Sequence, residues 1–216
     1  MVMVCTAGCG LTSPIPPTVT ASAPPPAATF TPIPTYTPIP TGTTIPGSVV
    51  LDFAAQLCNA KWMNNAQKFS ACPDANADHS TGYGVVLDPA PEGWSAATPV
   101  LMTLPAWNGY QGLFLRFPAL KIEAGDRFRA TLQCRTNSTE CDVEFALEYY
   151  DANGKYHSPF GTWNQNSGMA PTPVDYDLGA LSGQNVELTL VIRPNNDSPQ
   201  LDAALWIAPQ IFRPNP

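Results

Sequence analysis

Two stretches of strict alternation constrain this chain more than anything else in it. In DRFRATLQC, Phe128, Ala130, Leu132 and Cys134 fall on one parity, and Arg127, Arg129, Thr131 and Gln133 on the other. In CDVEFALEYY, Cys141, Val143, Phe145, Leu147 and Tyr149 share one parity, with Glu144 and Glu148 opposite. A period of two belongs to strands with one dry and one wet face, and does not fit a helix. We read the pair as a hairpin over 127–149, closed at its turn by a Cys134–Cys141 disulfide. In that arrangement Arg127 and Arg129 face Glu144 and Glu148 across the strands.

A third run, NVELTLVI, sets Val186, Leu188, Leu190 and Ile192 inward. VVLDFAA, YGVVLDP, PVLMTLP, GLFLRFP, TPVDYDL and AALWIAPQIF read as further short strands, with Trp206 in the core. Turn signals such as EAGD, DANGK, LSGQN and PNNDSP punctuate them. Only FAAQLCNAKWMNNAQKF has any helical spacing, with Trp62 as its anchor. The expected fold class is therefore all-β, a β-sandwich over residues 48–216.

The order of these segments also carries a resemblance. GLFLRFPALKIEAGDRFRATLQC, CDVEFALEYYDANGK, VDYDLGALSGQNVELTLVI and DAALWIAPQI together resemble galactose-binding-like jelly rolls. They look most like carbohydrate-binding modules that end in an Asp-x-Ala-x-Trp strand, represented here by Asp202, Ala204 and Trp206. The resemblance covers about residues 99–212 and implies a jelly-roll sandwich with a glycan or polysaccharide partner. The chain is also similar to modules on Pro/Thr-stalked bacterial lipoproteins.

The N-terminal text is of another kind. Residues 1–51 contain no Asp, Glu, Lys, Arg or His, and residues 10–47 hold eleven prolines. Proline at that density fixes φ and removes amide donors, so 10–47 is expected to be a disordered Pro/Thr-rich linker. As polyproline II it would reach about 120 Å; as a flexible coil it would average about 35 Å. Its threonines suit O-linked sugar, and an unmodified spacer fits equally well. Thr6-Ala7-Gly8-Cys9 resembles a bacterial lipobox, although no basic region precedes it. Residues 1–9 are accordingly read as the remnant of a signal peptide, with Cys9 lipidated. That places the protein outside the cytoplasm, at a bacterial cell surface, held to the membrane only by its lipid.

Composition narrows the partners. The net charge of −7 lies wholly beyond residue 51, and the four lysines and six arginines never form a run. Without a basic stripe to neutralise phosphates, no nucleic-acid partner is expected. Cys58 with Cys72, and Cys134 with Cys141, fit local disulfides, and no zinc spacing is present. The expected state is a monomer.

No catalytic constellation is legible, and the protein is read as no enzyme. His79 and His157 sit in no motif. Glu144 and Glu148 would stand about 13 Å apart along a strand, too far for a glycosidase pair. Asp175 and Asp177 read as solvated carboxylates. Asp74, Asn76 and Asp78 have the spacing of a calcium loop but lack its glycine and glutamate, so neither metal nor cofactor is assigned. Sugar recognition asks for aromatic faces beside amide hydrogen-bonders. Trp163 with Asn164 and Gln165, and Trp107 with Asn108 and Tyr110, meet that requirement in what reads as loop text. The main alternative is a structural or protein-interacting surface lipoprotein, with both tryptophans plugging the ends of the sandwich.

Overall fold

The computed structural model describes residues 46–64, 69–70, 79–107, 112–136 and 138–215. Cys9, Cys72, Asp74, Asn76, Asp78, Asn108, Tyr110 and linker residues 10–45 lie outside the described residues. In chain order the strands are β1 (Gly47–Asp52), β2 (Lys61–Met63), β3 (Phe69–Ser70), β4 (Tyr83–Leu87) and β5 (Val100–Leu104). They continue with β6 (Leu113–Arg116), β7 (Leu120–Lys121), β8 (Arg127–Cys134), β9 (Asp142–Tyr150) and β10 (Tyr156–Asn166). The last are β11 (Thr172–Asp177), β12 (Asn185–Pro194) and β13 (Ala204–Pro214). Among the described residues, helical structure is confined to short 3-10 turns.

All the ladders are antiparallel, and they form the two sheets of an all-β sandwich. The six-stranded sheet runs β11-β8-β13-β5-β4, with β1 also on β13; the seven-stranded sheet runs β10-β9-β12-β6-β2-β3, with β7 also on β12. Alternation does what the sequence asks of it. Every second residue of β8 is buried, and Val186, Leu188, Leu190 and Ile192 of β12 are each at most 1% exposed. The inward faces meet around Phe53, Trp62, Phe117, Phe128, Phe145 and Trp206. Phe53 meets Phe117, and Phe145 meets Trp206, edge to face at 4.7 Å, geometries that add about 1 kcal/mol each beyond area burial. The Trp206 indole N–H donates to Thr103 Oγ1 at 3.1 Å, so the buried ring carries no unmet donor.

Three expectations need correction. First, β8 and β9 are not a hairpin: they belong to opposite sheets, and the chain passes from one to the other between Cys134 and Asp142. Alternation buries the same parity in either arrangement, and this connection exceeds the two-residue turns of tight hairpins. The Cys134–Cys141 disulfide is present, with Cα atoms 6.0 Å apart, but it ties one sheet to the other through the interior. Arg127 and Arg129 consequently pair with Asp175 on β11, and Arg127 also with Asp177, so these aspartates are more than solvated carboxylates. Cys58 is disulfide-bonded as well.

Second, the stretch beginning FAAQLCNAKWM is not helical. A 3-10 turn at Leu57–Asn59 leads into β2, and Trp62 is buried with its indole donating to the Leu57 carbonyl at 3.2 Å. Third, Tyr156–Asn166 is a strand rather than a loop. Pro159 and Gly161 hide it, because they fall where the register with β9 shifts between His157 and Gly161. A Cβ on Gly161 would stand 2.8 Å from the Trp163 ring, so the glycine makes room for that indole.

The outer face of the six-stranded sheet has a small core of its own. Val100, Met102, Ala203, Leu205 and Ile207 form it, with Tyr83, Val85, Leu87 and Trp94 packed against them. The segment at 88–98, which carries Trp94, dries that part of the sheet.

Candidate functional site

The strand nature of β10 divides the first predicted site. Trp163 and Gln165 point between the sheets, and Asn164 points outward. Trp163 is half-buried, 6.1 Å from the Phe128 ring and 5.7 Å from Tyr176. Gln165 is fully buried and its amide donates to Ala170 O at 3.2 Å and Thr172 Oγ1 at 2.5 Å. Trp107 is half-buried, with its backbone amide bonded to Ser80 O at 2.9 Å. Only Asn164 of the first trio therefore reaches an outer surface, where it accepts from Asn195 at 3.4 Å.

Asn164 leads to the outer face of the seven-stranded sheet. The registers place its side chains in rows across the strands. One row reads Asn164, Glu144, Arg193; the next Thr162, Ala146, Val191, Phe114, Met63. The third reads Glu148, Thr189, Arg116, Lys61, and the fourth Tyr156, Tyr150, Glu187. A small, largely apolar floor thus runs between two polar rows, each about 7 Å from it and about 13 Å from the other.

Two guanidinium groups organise this face. Arg193 donates to Glu144 at 2.9 Å and to Glu148 at 2.6 Å. It thereby bridges two rows over Ala146 and Val191, with its head 5.4 Å from the Phe114 ring. Glu148 is fully buried and also accepts from Ser158 at 2.5 Å and from the Tyr156 hydroxyl. Arg116 lies 3.7 Å from the centre of the Tyr150 ring and pairs with Glu187, which Lys61 approaches at 3.8 Å. Three cations and three carboxylates thus balance on this face, and Arg116 sits in cation–π range of Tyr150.

Protonation follows from these contacts. Burial, then the Glu148 carboxylate, pushes the Tyr156 phenol up, so it stays a donor at neutral pH. Burial pulls Arg193 down, but its bonds to Glu148 and Glu144 outweigh that and hold it above its ordinary value. At the strand end, His157 holds the Asp151 carboxyl below its ordinary value, helped by the backbone amides of Lys155 and Asn153.

At the Tyr150 end the face opens into a cavity of about 450 Å³ lined by Arg116, Glu187, Asn185, Asp151 and Asn153. The β9–β10 turn builds its wall: Asp151 Oδ1 accepts from the amides of Asn153 and Lys155, both at 2.9 Å, and Gly154 takes φ +76°. Beside it, Arg116 Nε and Thr189 Oγ1 have no hydrogen-bond partner and sit at facing register positions. Such groups are uncommon, since each unmet buried polar atom costs about 1–3 kcal/mol.

The sequence reading missed Tyr150, Tyr156, Arg116, Glu187 and Arg193. A signal existed: Phe114 with Arg116, and Glu187 with Arg193, occupy the outward parity of recognisable strands. Their convergence depended on the order of β6, β12 and β9 in the sheet, which alternation does not contain. Among the described residues no group of three His, Cys, Asp or Glu side chains is placed to hold a metal ion. No helix among them is long and apolar enough to cross a membrane.

No protein-family model matches the chain, and no curated protein matches it in sequence. Solved structures are similar to it in fold. TmCBM61, in complex with β-1,4-galactotriose, is similar over 78% of this chain and 99% of its own, at 10% identity and TM-score 0.46. The CBM22-1 xylan-binding domain of Paenibacillus barcinonensis Xyn10C is similar over 80% and 97%, at 13% identity and TM-score 0.43. The CBM22-1-GH10 portion of Clostridium thermocellum xylanase 10B, complexed with xylohexaose, is similar over 80% of this chain at 11% identity and TM-score 0.41. This chain spans 28% of that xylanase structure.

Proposed function

We propose that the protein is a non-catalytic binding module that holds a neutral glycan on the outer face of its seven-stranded sheet. The observation that carries this reading is the cavity beside Tyr150. Its planar wall is the Arg116 guanidinium, which the neighbouring Tyr150 ring holds in place from 3.7 Å, and Asn185, Asn153, Asp151 and Glu187 supply the polar lining. A pyranose needs those two kinds of surface together, planar groups for its C–H face and fixed polar groups for its hydroxyls. Neutrality of the ligand follows from charge. Arg193 faces two carboxylates, and Arg116 and Lys61 share a third, so the face carries no net positive charge to draw in a uronate or sulfate. Binding is favoured over acid–base chemistry because Glu148 is enclosed and fully used by Tyr156, Ser158 and Arg193.

The reading extends to the N-terminus. Lipidation of Cys9 and a Pro/Thr stalk over 10–47 would hold the 48–216 domain at a bacterial cell surface, where an extended glycan is the available partner. Mass spectrometry of the native N-terminus tests the lipid.

The binding experiment is a glycan array and affinity electrophoresis with the full chain, using xylan and β-1,4-galactan as first probes. Saturable retention that falls about tenfold in Tyr150→Ala, with Trp163→Ala retaining its ligand when folded, is the expected result. Retention by no neutral glycan, or retention indifferent to Tyr150→Ala, removes the reading.

A further inference from the structure

The six-stranded sheet has a recess of its own. Strand β13 bulges between Ile207 and Gln210, where its register with β8 shifts. The bulge holds Ala208 at φ +47°, a left-handed conformation disfavoured for a residue with a Cβ by about 1–2 kcal/mol. A hydrogen bond from its amide to Pro99 O, at 2.8 Å, ties it to the chain behind Trp94. Strained backbone of this sort gathers at ligand sites, where the surrounding structure holds it in place.

Over the bulge lies a cavity of about 320 Å³. Trp94 and Thr98 line one side; Arg129, Asp175, Thr131 and Gln210 supply the polar lining. Arg129 is not a free charge: it meets Asp175 at 3.4 Å and lies 3.9 Å from the Phe212 ring. The Arg127 and Arg129 guanidiniums, against the raising effect of burial, hold the Asp175 carboxyl below its ordinary value. The recess therefore combines an indole, a carboxylate already ionised at neutral pH, an amide and two hydroxyls, with no unbalanced cation.

We infer that this recess is a second saccharide site, formed by Trp94, Arg129, Asp175 and Gln210 on the opposite face of the sandwich from the first. Its ligand has one flat C–H face for the indole and an edge of hydroxyls for Gln210 and Asp175, which describes a neutral pyranose. The volume is at the small end of ligand cavities, about 300–1,000 Å³, so it takes a chain end or a single unit rather than a long run. The site stands on residues separate from those of the first and does not depend on it. A module with a site on each face can engage two glycan chains, and its avidity for an insoluble polysaccharide then exceeds that of either site.

Nuclear magnetic resonance titration of the 15N-labelled full chain tests this. Methyl β-galactoside, methyl β-xyloside and N-acetylglucosamine serve as probes, and the Trp94 indole N–H, assigned with Trp94→Phe, is the reporter. At least one probe is expected to shift that resonance saturably. Gln210→Leu, which keeps volume and removes the amide, should weaken the response about fivefold to tenfold, and Tyr150→Ala should leave it unchanged. No saturable shift with any of the three, or a shift unaltered in folded Gln210→Leu, overturns the second site.

Discussion

On the six-stranded sheet, the outer face around β5 and β13 is dried by Val100, Met102, Leu205 and Ile207 beneath Trp94. The corresponding centre of the seven-stranded sheet is spanned instead by Arg193, fixed between Glu144 and Glu148. Both solutions remove surface from water, but they fail differently. Apolar cover is non-directional, so its loss scales with the atoms removed. An ionic bridge is directional, so removing one carboxylate strands a cation, a phenol and a hydroxyl at once. The face built to stay wet is therefore the more brittle of the two.

The largest expected effect tests that brittleness. Glu148→Ala should lower unfolding free energy by about 3 kcal/mol in urea titration, since Arg193 would keep only Glu144 while Tyr156 and Ser158 lose a buried acceptor. Glu148→Leu combined with Arg193→Met should recover the part of that loss due to the ion pair, while the share due to the Tyr156 and Ser158 hydroxyls remains. If the double variant is no better than the single, the face is held by something other than the ion pair. Next comes Leu205→Ala on the apolar face, with about 2–4 kcal/mol and no rescue by any charge change nearby.

The smallest effect is a slope rather than an offset. Asp202 is fully buried; burial pushes its carboxyl up, although the Asp142 amide and Asn196 pull the other way. A carboxyl raised on folding favours the native state most below its unfolded value, and that advantage is lost as pH rises through the raised value. As pH rises from the ordinary carboxyl value through the raised one, the melting temperature of Asp202→Asn should therefore gain on the parent and then level off. A difference between the two that stays constant with pH would mean Asp202 keeps its ordinary proton affinity.

Much of the fold is legible in the sequence. Inward parity located the strands and the core faces of β8, β9, β12 and β13, because burial acts residue by residue and leaves a local trace. Sheet membership left no such trace. The same Cys134 and Cys141 parity serves a hairpin or a crossing between sheets, and only the partners of Arg127 and Glu144 distinguish them. Strand β10 was obscured by Pro159 and Gly161, which carry no alternation. Once it is a strand, parity alone separates Asn164 from Trp163 and Gln165. Tyr150, Arg116 and Arg193 were each readable as outward-facing, but their meeting required strands distant in sequence to become neighbours.

The pairing of β1 with β13 has a mechanical consequence. Gly47 stands opposite Pro214, and the amide of Asn215 donates to Pro46 O at 2.8 Å, so the folded chain is entered and left at one corner. A pull applied between those two points loads the β1–β13 rungs in sequence, opening them like a zip. The sheets behind that corner share the Cys134–Cys141 crosslink, which lies off the loaded path. The first strand can peel away under tension while the seven-stranded sheet across the sandwich keeps its shape, whereas Gln210, opposite Asp52, sits on the last loaded rung.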